Sequence, residues 1–313
     1  MSPAVHLPAP EVFVRGRAIV GEGPVVDDRT AELVWVDIPS GVLTRTALAG
    51  GGPAAPVARV GMSLGAVAVR RNGGYAAAVD TGFGLIGGNG AGVPADAADG
   101  EDGGAGAADP TLSVVHPVLP DAERRMNDAK CDAAGRFWAG STTYGFPEGG
   151  GALHCWDPAG DTVRTVVSGL TLPNGLGWSP DGQRFYLADS VLRAVFTADF
   201  DPAEGNLGPL RELLRLDASD GMPDGLCVDQ DGCLWIALWG AGQVRRYDPH
   251  GACVAVLPMP VSQPSSCAFG PDGTLYVTSA CDGVPEGEEP LAGSVFALPA
   301  TRWRGVPVGT FAG

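Results

Sequence analysis

Short apolar runs separated by turn residues recur along the whole chain. Six of these runs are built around an aromatic residue, and successive aromatics lie 40 to 63 residues apart: Trp35, Tyr75, Trp138, Tyr186, Trp235 and Tyr276. The runs are short and rich in Val, Ile, Leu, Tyr and Trp, which is typical of strands and not of amphipathic helices. The pattern therefore predicts an all-β chain made of repeating units.

A tight-turn signal precedes most of the aromatic runs. The turn pairs are Asn72-Gly73, Ala134-Gly135, Asp181-Gly182, Asp231-Gly232 and Asp272-Gly273. Asn-Gly and Asp-Gly between short β-prone runs favour hairpins. Units of roughly 40–50 residues with several short strands match propeller blades, which must stack in a ring to cover both faces of each sheet. We predict a six-bladed β-propeller with four-stranded antiparallel blades, forming a single domain over residues 1–313.

Two parts of the chain stand outside the repeat. Strand-like residues 12–14 and 306–308 lie at its two ends and are candidates to pair in one blade and close the ring. The longest gap between aromatics contains residues 86–110, which are small, acidic and without hydrophobic periodicity. This composition predicts an exposed, flexible insertion. Its acidic residues lack the ligand spacing of an EF-hand calcium loop.

One polar position recurs in each unit, 11 to 13 residues before the aromatic. The residues at this position are Glu22, Ser63, Asn127, Asn174, Asp224 and Ser265. Most of them precede a short apolar run, which we interpret as the first strand of the blade. The first strands of a propeller line its central channel, so side chains at their entry ends should converge on the ring axis from six directions.

Three of these side chains suggest a metal centre. Glu22 and Asp224 bring two carboxylates together, which repel each other unless a proton or a cation lies between them. With the amide oxygen of Asn174 they form the oxygen ligand set that hard divalent ions prefer. We expect one divalent cation, Ca²⁺ first, with Zn, Mn, Mg and Fe(II) as alternatives. A histidine-based zinc site is disfavoured because the histidines lie outside this register. They are His6, His116, His154 and His250.

The net charge and the cysteines indicate which classes of partner and which cellular compartment to expect. The 36 acidic and 20 basic residues give a formal charge of −16, which repels phosphate backbones and argues against nucleic-acid binding. No signal-peptide pattern is found, and no apolar run approaches ~18 residues, so we expect a cytoplasmic protein without a membrane partner. The 7 cysteines include no CxxC pair and are expected to be buried, reduced thiols.

An ordered set of segments resembles the regucalcin/gluconolactonase/luciferin-regenerating family, also called the senescence marker protein family. The matching residues are 21–24, 35–38, 125–132, 135–140, 172–176, 178–182, 223–226, 269–272 and 275–279. The resemblance depends on the order and spacing of the whole set, because no single segment is diagnostic. It implies a six-bladed propeller, in agreement with the repeat count.

The resemblance also implies roles for individual residues. The family's metal ligands match Glu22, Asn174 and Asp224. Its sugar-contacting Arg and Asn match Arg125 and Asn127, and Glu148 is a candidate for an acidic substrate contact. By the same analogy Asp224 is the general base. Many members hydrolyse sugar lactones, which implies a metal-dependent lactonase that converts glucono-, xylono- or arabinono-lactone to the aldonic acid.

Departures from the family pattern bear on sugar preference. Ala129 replaces the usual glycine of its N-D-G motif, and Ser141-Thr142 stands where members often have Thr-Met. Two alternatives to a sugar lactonase stay open: a non-catalytic calcium-binding protein, and a propeller esterase or lactonase for a less polar substrate. A protein-interaction propeller of the WD type is disfavoured, because Trp156-Asp157 does not recur in other blades.

Overall fold

The computed structural model describes residues 4–50, 54–87, 111–299 and 301–313. Within these ranges the chain forms 26 strands and one short 3₁₀ helix, Ala218–Asp220. The strands make six separate sheets, and the first strand of each blade packs against the first strands of the two neighbouring blades, so the sheets form a ring. The prediction of a six-bladed β-propeller with four-stranded antiparallel blades is confirmed.

Two strands precede the first blade, β1 (Val5–His6) and β2 (Glu11–Val14). Blade 1 contains β3 (Gly21–Asp27), β4 (Glu32–Asp37), β5 (Val42–Ala47) and β6 (Ala55–Arg59). Blade 2 contains β7 (Leu64–Val69), β8 (Tyr75–Val79), β9 (Gly82–Ile86) and β10 (Leu112–Pro117). Blade 3 contains β11 (Arg124–Cys131), β12 (Phe137–Thr143), β13 (Gly151–Asp157) and β14 (Thr162–Leu170).

Blade 4 contains β15 (Pro173–Trp178), β16 (Arg184–Asp189), β17 (Ala194–Asp201), β18 (Asn206–Leu207) and β19 (Arg211–Arg215). Blade 5 contains β20 (Met222–Val228), β21 (Leu234–Trp239), β22 (Gln243–Tyr247) and β23 (Cys253–Pro258), with β1 added in parallel to β23. Blade 6 contains β24 (Pro264–Phe269), β25 (Leu275–Ser279) and β26 (Val295–Leu298), with β2 as its outer strand.

The predicted turn glycines all adopt the left-handed backbone conformation. Their φ angles lie between 70° and 92° at Gly73, Gly135, Gly182, Gly232 and Gly273. Each N–H donates to the carbonyl three residues earlier, as from Gly182 to Ser179 at 2.8 Å. A residue with a Cβ strains this conformation, which explains why glycine marks the turn between the first and second strands of these blades.

The hydrophobic core is divided into six clusters, one at each interface between neighbouring blades. The aromatics that revealed the repeat lie in the second strand of each blade and are buried. Trp138, for example, is fully buried between blades 3 and 4, with its ring centroid 6.1 Å from that of Trp178 and 5.6 Å from that of Phe200. These aromatics therefore hold neighbouring blades together.

The ring closes differently from the sequence-based expectation. Residues 12–14 do enter the last blade, but β2 pairs with β26, not with residues 306–308. Residues 306–308 belong to no strand of the structure. One reason is that Pro307 has no N–H to give to a sheet ladder, whereas β26 presents a full strand edge.

Residues 305–313, which we call the crossing segment, run over the exit ends of the inner strands. Its backbone N–H groups donate to carbonyls of three blades: Val306 to Val228 at 2.8 Å, Phe311 to Val69 at 2.8 Å, and Ala312 to Gly135 at 3.1 Å. The Phe311 ring is fully buried, with its centroid 4.4 Å from that of Trp156. The crossing segment therefore connects blades 5, 2 and 3.

Three other expectations concern single features. All seven cysteines are free thiols, and all but Cys253 and Cys281 are buried, as predicted. Within the predicted insertion, Ile86 ends β9, and residues 88–110 lie outside the described residues. In the described ranges no helix has the length and apolar character needed to cross a membrane.

Candidate functional site

A cavity of about 280 Å³ opens on the ring axis at the entry ends of the inner strands. Its polar lining residues include four of the six positions identified from the repeat: Glu22, Asn127, Asn174 and Asp224. Arg125 lines it as well. The structure thus brings together all three predicted metal ligands and two of the three predicted substrate contacts.

Every inner strand breaks its ladder register at the same level, beside the recurring polar position. The breaks lie between Glu22 and Val25, Leu64 and Ala66, Met126 and Ala129, Pro173 and Leu176, Pro223 and Leu226, and Pro264 and Ser266. A β-bulge leaves residues unpaired and re-aims their side chains. Asn127, Asn174 and Asp224 lie inside such breaks, so the same local irregularity presents each of them at the cavity.

The glycine after the polar residue lets neighbouring inner strands approach closely at this level. A Cβ on Gly175 would lie 2.4 Å from the backbone nitrogen of Leu226, and one on Gly225 would lie 2.1 Å from Oγ of Ser266. Both distances are too short for real contacts. The glycine of the Pro-polar-Gly-Leu sequence shared by blades 4 and 5 is therefore a packing requirement, whereas the polar residue before it faces the cavity.

The two serines at this position are engaged in structural contacts. The Ser63 hydroxyl donates to the carboxylate of Asp80. The Ser265 hydroxyl donates to the carbonyl of Gly21, which ties blade 6 to blade 1, and lies 3.0 Å from Oγ1 of Thr278. Neither serine lines the cavity. Ser63 therefore forms a contact within blade 2 and Ser265 joins two blades, whereas the carboxylate and amide positions line the cavity.

Burial raises the pKa values of Glu22 and Asp224 in the cavity well above their usual values. Glu22 is 3% exposed, and the charges of Asp224 and Asp128 add to the desolvation that raises its pKa. Asp224 is 5% exposed, and desolvation and Asp128 raise its pKa, while Arg125 opposes them. The surrounding protein therefore does not fully stabilise the charged forms of these two carboxyl groups.

The donor groups fit a divalent ion. Oδ1 of Asp224 is buried and has no hydrogen-bond partner in the described structure. Nδ2 of Asn174 donates to Oγ of Ser190 at 3.0 Å, so the amide oxygen remains as the group available to a ligand. No three His, Cys, Asp or Glu side chains of the described residues come together as metal ligands, so an ion held here would need Asn174 beside Glu22 and Asp224.

Arg125 and Asn127 form a connected pair beside these ligands. Nη1 of Arg125 donates to Oδ1 of Asn127 at 2.6 Å, and Nδ2 of Asn127 donates to the carbonyl of Pro173 at 3.0 Å. Desolvation by burial lowers the pKa of Arg125. Because Asn127 is held at both ends of its amide, it fixes the guanidinium of Arg125 at the cavity wall.

Glu148 lies away from this group. It is exposed in the loop between β12 and β13 and does not line the cavity. Phe146 of the same loop does line it, with a φ of 52° and 39% of its side chain exposed. A bulky residue in the left-handed region costs on the order of 1–3 kcal/mol. Four non-glycine residues of the described ranges have a positive φ, and of these Phe146 lines the cavity; no sequence signal pointed to it.

Two further residues of the site were not singled out from the sequence. Asp128 is 4% exposed, and its charge contributes to the raised pKa values of Glu22 and Asp224. Its place directly after Asn127 in the same motif was the available signal. The hydroxyl of Ser190 accepts a hydrogen bond from Nδ2 of Asn174 and donates one to the carbonyl of Pro223 at 2.6 Å, so Ser190 connects blades 4 and 5.

Sequence comparisons agree with the resemblance found in the motifs. Residues 20–281 match the family model of the SMP-30/Gluconolactonase/LRE-like region. The chain is 37% identical over 204 residues to L-arabinolactonase of Azospirillum brasilense, covering 64% of this chain and 66% of that protein. It is 30% identical over 308 residues to regucalcin of Xenopus laevis, covering 94% and 95% of the two chains.

Solved structures share the fold. Regucalcin of Agrobacterium tumefaciens, described as a calcium-binding protein, gives a TM-score of 0.86 at 24% identity, with 99% of each chain covered. A gluconolactonase of Xanthomonas campestris gives a TM-score of 0.69 at 19% identity, with 93% of this chain and 89% of that chain covered. At these identities the likeness bears on the propeller architecture alone.

Proposed function

This chain belongs to the SMP-30/gluconolactonase/LRE-like family, and we propose that it is a divalent-metal-dependent hydrolase that opens sugar lactones to aldonic acids. The observation that carries the proposal is the meeting of buried Glu22, Asn174 and Asp224 at one axial cavity, with Oδ1 of Asp224 unpartnered. The L-arabinolactonase relative supports aldonolactones as substrates, and we include glucono- and xylono-lactone among them.

Glu22, Asn174 and Asp224 would hold the ion, and we propose Ca²⁺, with Zn, Mn, Mg and Fe(II) as alternatives that accept the same oxygen ligands. When bound, such an ion polarises a carbonyl and lowers the pKa of water. It would also balance the two buried carboxylates, which otherwise face each other in a desolvated cavity.

Arg125 and Asn127 would orient the lactone. The guanidinium forms no ion pair with a carboxylate among the described residues, so its remaining N–H groups are available to the carbonyl or the ring hydroxyls of a sugar. Asn127 is held by Arg125 and Pro173, which keeps this contact in one geometry. A fixed donor pair of this kind lowers the entropic cost of aligning substrate and water.

Asp224 would accept the proton of the attacking water. The water oxygen forms a bond to the carbonyl carbon, the bond from that carbon to the ring oxygen breaks, and the proton is passed to the departing ring oxygen. The product is the open aldonic acid. The proposal for Asp224 is supported by its Oδ1 atom, which has no other hydrogen bond to break.

The direct test is acid release from arabinono-, xylono- and glucono-lactone, followed by pH indicator at constant pH. We expect hydrolysis above the spontaneous rate in the presence of Ca²⁺ or another divalent salt, and its loss after treatment with a chelator. Restored hydrolysis on adding one metal would identify the ion that supports activity. Hydrolysis that persists unchanged in chelator would contradict the metal-dependent mechanism.

A second candidate is a non-catalytic calcium-binding protein. It is supported by regucalcin relatives that align over nearly the whole chain and by the solved regucalcin described as calcium-binding. Calorimetric binding of Ca²⁺ without hydrolysis of any lactone in the panel would favour this candidate. Binding accompanied by hydrolysis would favour the lactonase.

We also propose that the protein acts in the cytoplasm on a small-molecule substrate. All seven cysteines are unpaired, although Sγ of Cys227 and Sγ of Cys267 lie 3.6 Å apart. Oxidising compartments favour disulfides between such neighbours, so free thiols are consistent with a reducing one.

A further inference from the structure

The axial cavity has a polar floor and an apolar mouth. Glu22, Asn127, Asn174 and Asp224 are all buried, whereas the residues nearer solvent are mostly apolar. The apolar lining residues that reach solvent are Val20, Phe146, Leu172, Met222 and Trp239, whereas Ile38 is buried; the polar ones are Arg125 and Asp282. A ligand whose reacting carbonyl reaches the floor would therefore place its far end among apolar side chains.

Apart from Arg125, whose free N–H groups are assigned above to the carbonyl or the ring hydroxyls, few polar groups are available to that far end. The hydroxyl of Ser190 already donates to the carbonyl of Pro223. Asp282 also lines the cavity, but it is exposed and therefore hydrated by solvent. A substrate hydroxyl that is buried against Phe146 or Trp239 would lose water without gaining a protein partner, which disfavours binding.

Apolar exposure continues around the mouth. Large hydrophobic residues are exposed in three loops at this end of the ring: Ile19 before β3, Tyr144 and Phe146 after β12, and Val191 after β16. Ile19 is 41% exposed and Tyr144 is 51% exposed. The mouth is thus framed by apolar surface as well as lined by it.

The loop that carries Phe146 is fastened in place. Oγ1 of Thr143 donates to the carbonyl of Gly150 at 2.8 Å, and the N–H of Phe146 donates to the carbonyl of Thr143 at 3.0 Å. The N–H of Tyr144 donates to the carbonyl of Glu123 at 2.8 Å. These bonds hold Phe146 in its left-handed conformation, so its ring is presented at the cavity by a defined backbone.

We propose that Phe146 and Trp239 select lactones whose carbon farthest from the carbonyl is a methyl group, that is, deoxy-aldonolactones. The inference rests on the proposed lactonase function and specifies its substrate class. A methyl group gains from burial against the two rings, while the hydroxymethyl group of the oxygenated sugar must be desolvated there without a partner.

The test compares two lactones that differ at one carbon, L-rhamnono-1,4-lactone and L-mannono-1,4-lactone. We expect kcat/KM of the wild-type protein to be about 10-fold higher for the rhamnonolactone, the size of discrimination that one small group provides in an apolar pocket. In Phe146→Asn this ratio should fall towards one, because asparagine tolerates the left-handed backbone but offers polar groups to the hydroxyl.

Ala31→Gly is the matched control. Ala31 has a φ of 54°, close to that of Phe146, but it lies in the turn between β3 and β4, away from the cavity lining. Both substitutions relax a left-handed residue, so a change in selectivity shared by both would reflect backbone relaxation and would overturn the proposal. A change confined to Phe146→Asn supports it.

Two results separate this inference from the lactonase proposal. Equal or higher kcat/KM for the mannonolactone overturns the role of the mouth and leaves the lactonase function standing. If neither lactone nor the wider panel is hydrolysed, the lactonase proposal fails. In that case the preference for a methyl group is measured by calorimetry with two cyclic ethers, made by replacing the carbonyl of each lactone with CH₂. Tighter binding of the ether derived from the rhamnonolactone supports the role of the apolar mouth. Equal binding of the two ethers, or no binding of either, overturns it.

Discussion

Strand β20 has a buried aspartate near each end, and the two have opposite environments. Asp229, directly after the strand, is fully buried and accepts four hydrogen bonds: from the N–H groups of Asp231 and Cys233, from Nε1 of Trp235 at 2.9 Å and from Nε of Arg246 at 2.7 Å. Asp224, at the entry end, is 5% exposed and leaves Oδ1 without a partner.

The difference separates a structural carboxylate from the one proposed to function in the site. Asp132 has the same environment in blade 3 as Asp229 has in blade 5. Its carboxylate accepts hydrogen bonds from Nε of Arg136 at 2.6 Å and from Nε1 of Trp138 at 3.0 Å. Asp229 and Asp132 thus serve the fold through bonds that are already complete. Asp224 keeps an unfilled acceptor in a cavity, which is what a site needs in order to receive an ion or a proton.

The largest expected effect is on stability, from Asp229→Ala. Its removal leaves the buried guanidinium of Arg246 without its main partner, and breaking a buried ion pair in this way costs about 3–5 kcal/mol. Urea denaturation would measure the loss in the free energy of unfolding. Asp231→Ala is the control, because its carboxylate contacts the same arginine but is 68% exposed, and exposed pairs contribute at most about 1 kcal/mol. Equal losses in the two variants would refute the distinction.

The next effect is on activity, from Asp224→Ala. We expect kcat/KM for the best lactone to fall at least ~100-fold, as when a group that stabilises the transition state is removed. The free energy of unfolding in chelator should not fall, because the substitution removes a buried carboxylate with an unpartnered oxygen. Wild-type turnover in Asp224→Ala would show that the residue has been assigned wrongly, and Asp231→Ala again serves as the unaffected control.

The smallest effect concerns pH. Burial raises the pKa of Glu22 and of Asp224 above their usual values of 4.5 and 3.8. Without an ion, the folded state therefore binds more protons than the unfolded state between the ordinary and the raised pKa values. The free energy of unfolding should fall as pH rises through this window, by up to about 1.4 kcal/mol per pH unit for each group.

Urea midpoints measured at increasing pH from about pH 5, just above the ordinary carboxyl pKa values, would measure that slope in chelator and in excess Ca²⁺. A bound ion keeps the carboxylates charged in the folded state, so the slope should be shallower with Ca²⁺. Asp224→Asn should flatten the slope in chelator by removing one of the two groups. Stability that rises with pH in chelator would contradict the assignment.

Much of the fold was predictable because its signals are local. The turn glycines, such as Gly182 and Gly232, need a left-handed backbone wherever the hairpin occurs, and the aromatic of each second strand fills an interface that every blade repeats. The polar position was also predictable, because Asn174 and Asp224 lie in the same sequence context and the same β-bulge.

The remaining features depend on contacts between distant parts of the chain. The pairing of β2 with β26 and the course of the crossing segment are set by partners that carry no mark in the local sequence. The same holds for Phe146, whose conformation is fixed by the hydrogen bonds of its loop. The roles of Glu148 and of the other predicted site residues stay predictions until the variants are measured.

The crossing segment makes the two faces of the ring mechanically unequal. Its N–H groups donate to the carbonyls of Val69 in blade 2, Gly135 in blade 3 and Val228 in blade 5. The crossing segment therefore links blades on opposite sides of the ring at the exit ends of the inner strands. No single segment of the described chain crosses the opposite rim, where neighbouring blades are joined pairwise by bonds such as those from Ser265 to Gly21 and from Ser190 to Pro223. Relative motion of the blades should therefore be smaller at the rim that the crossing segment spans than at the rim where the axial cavity opens.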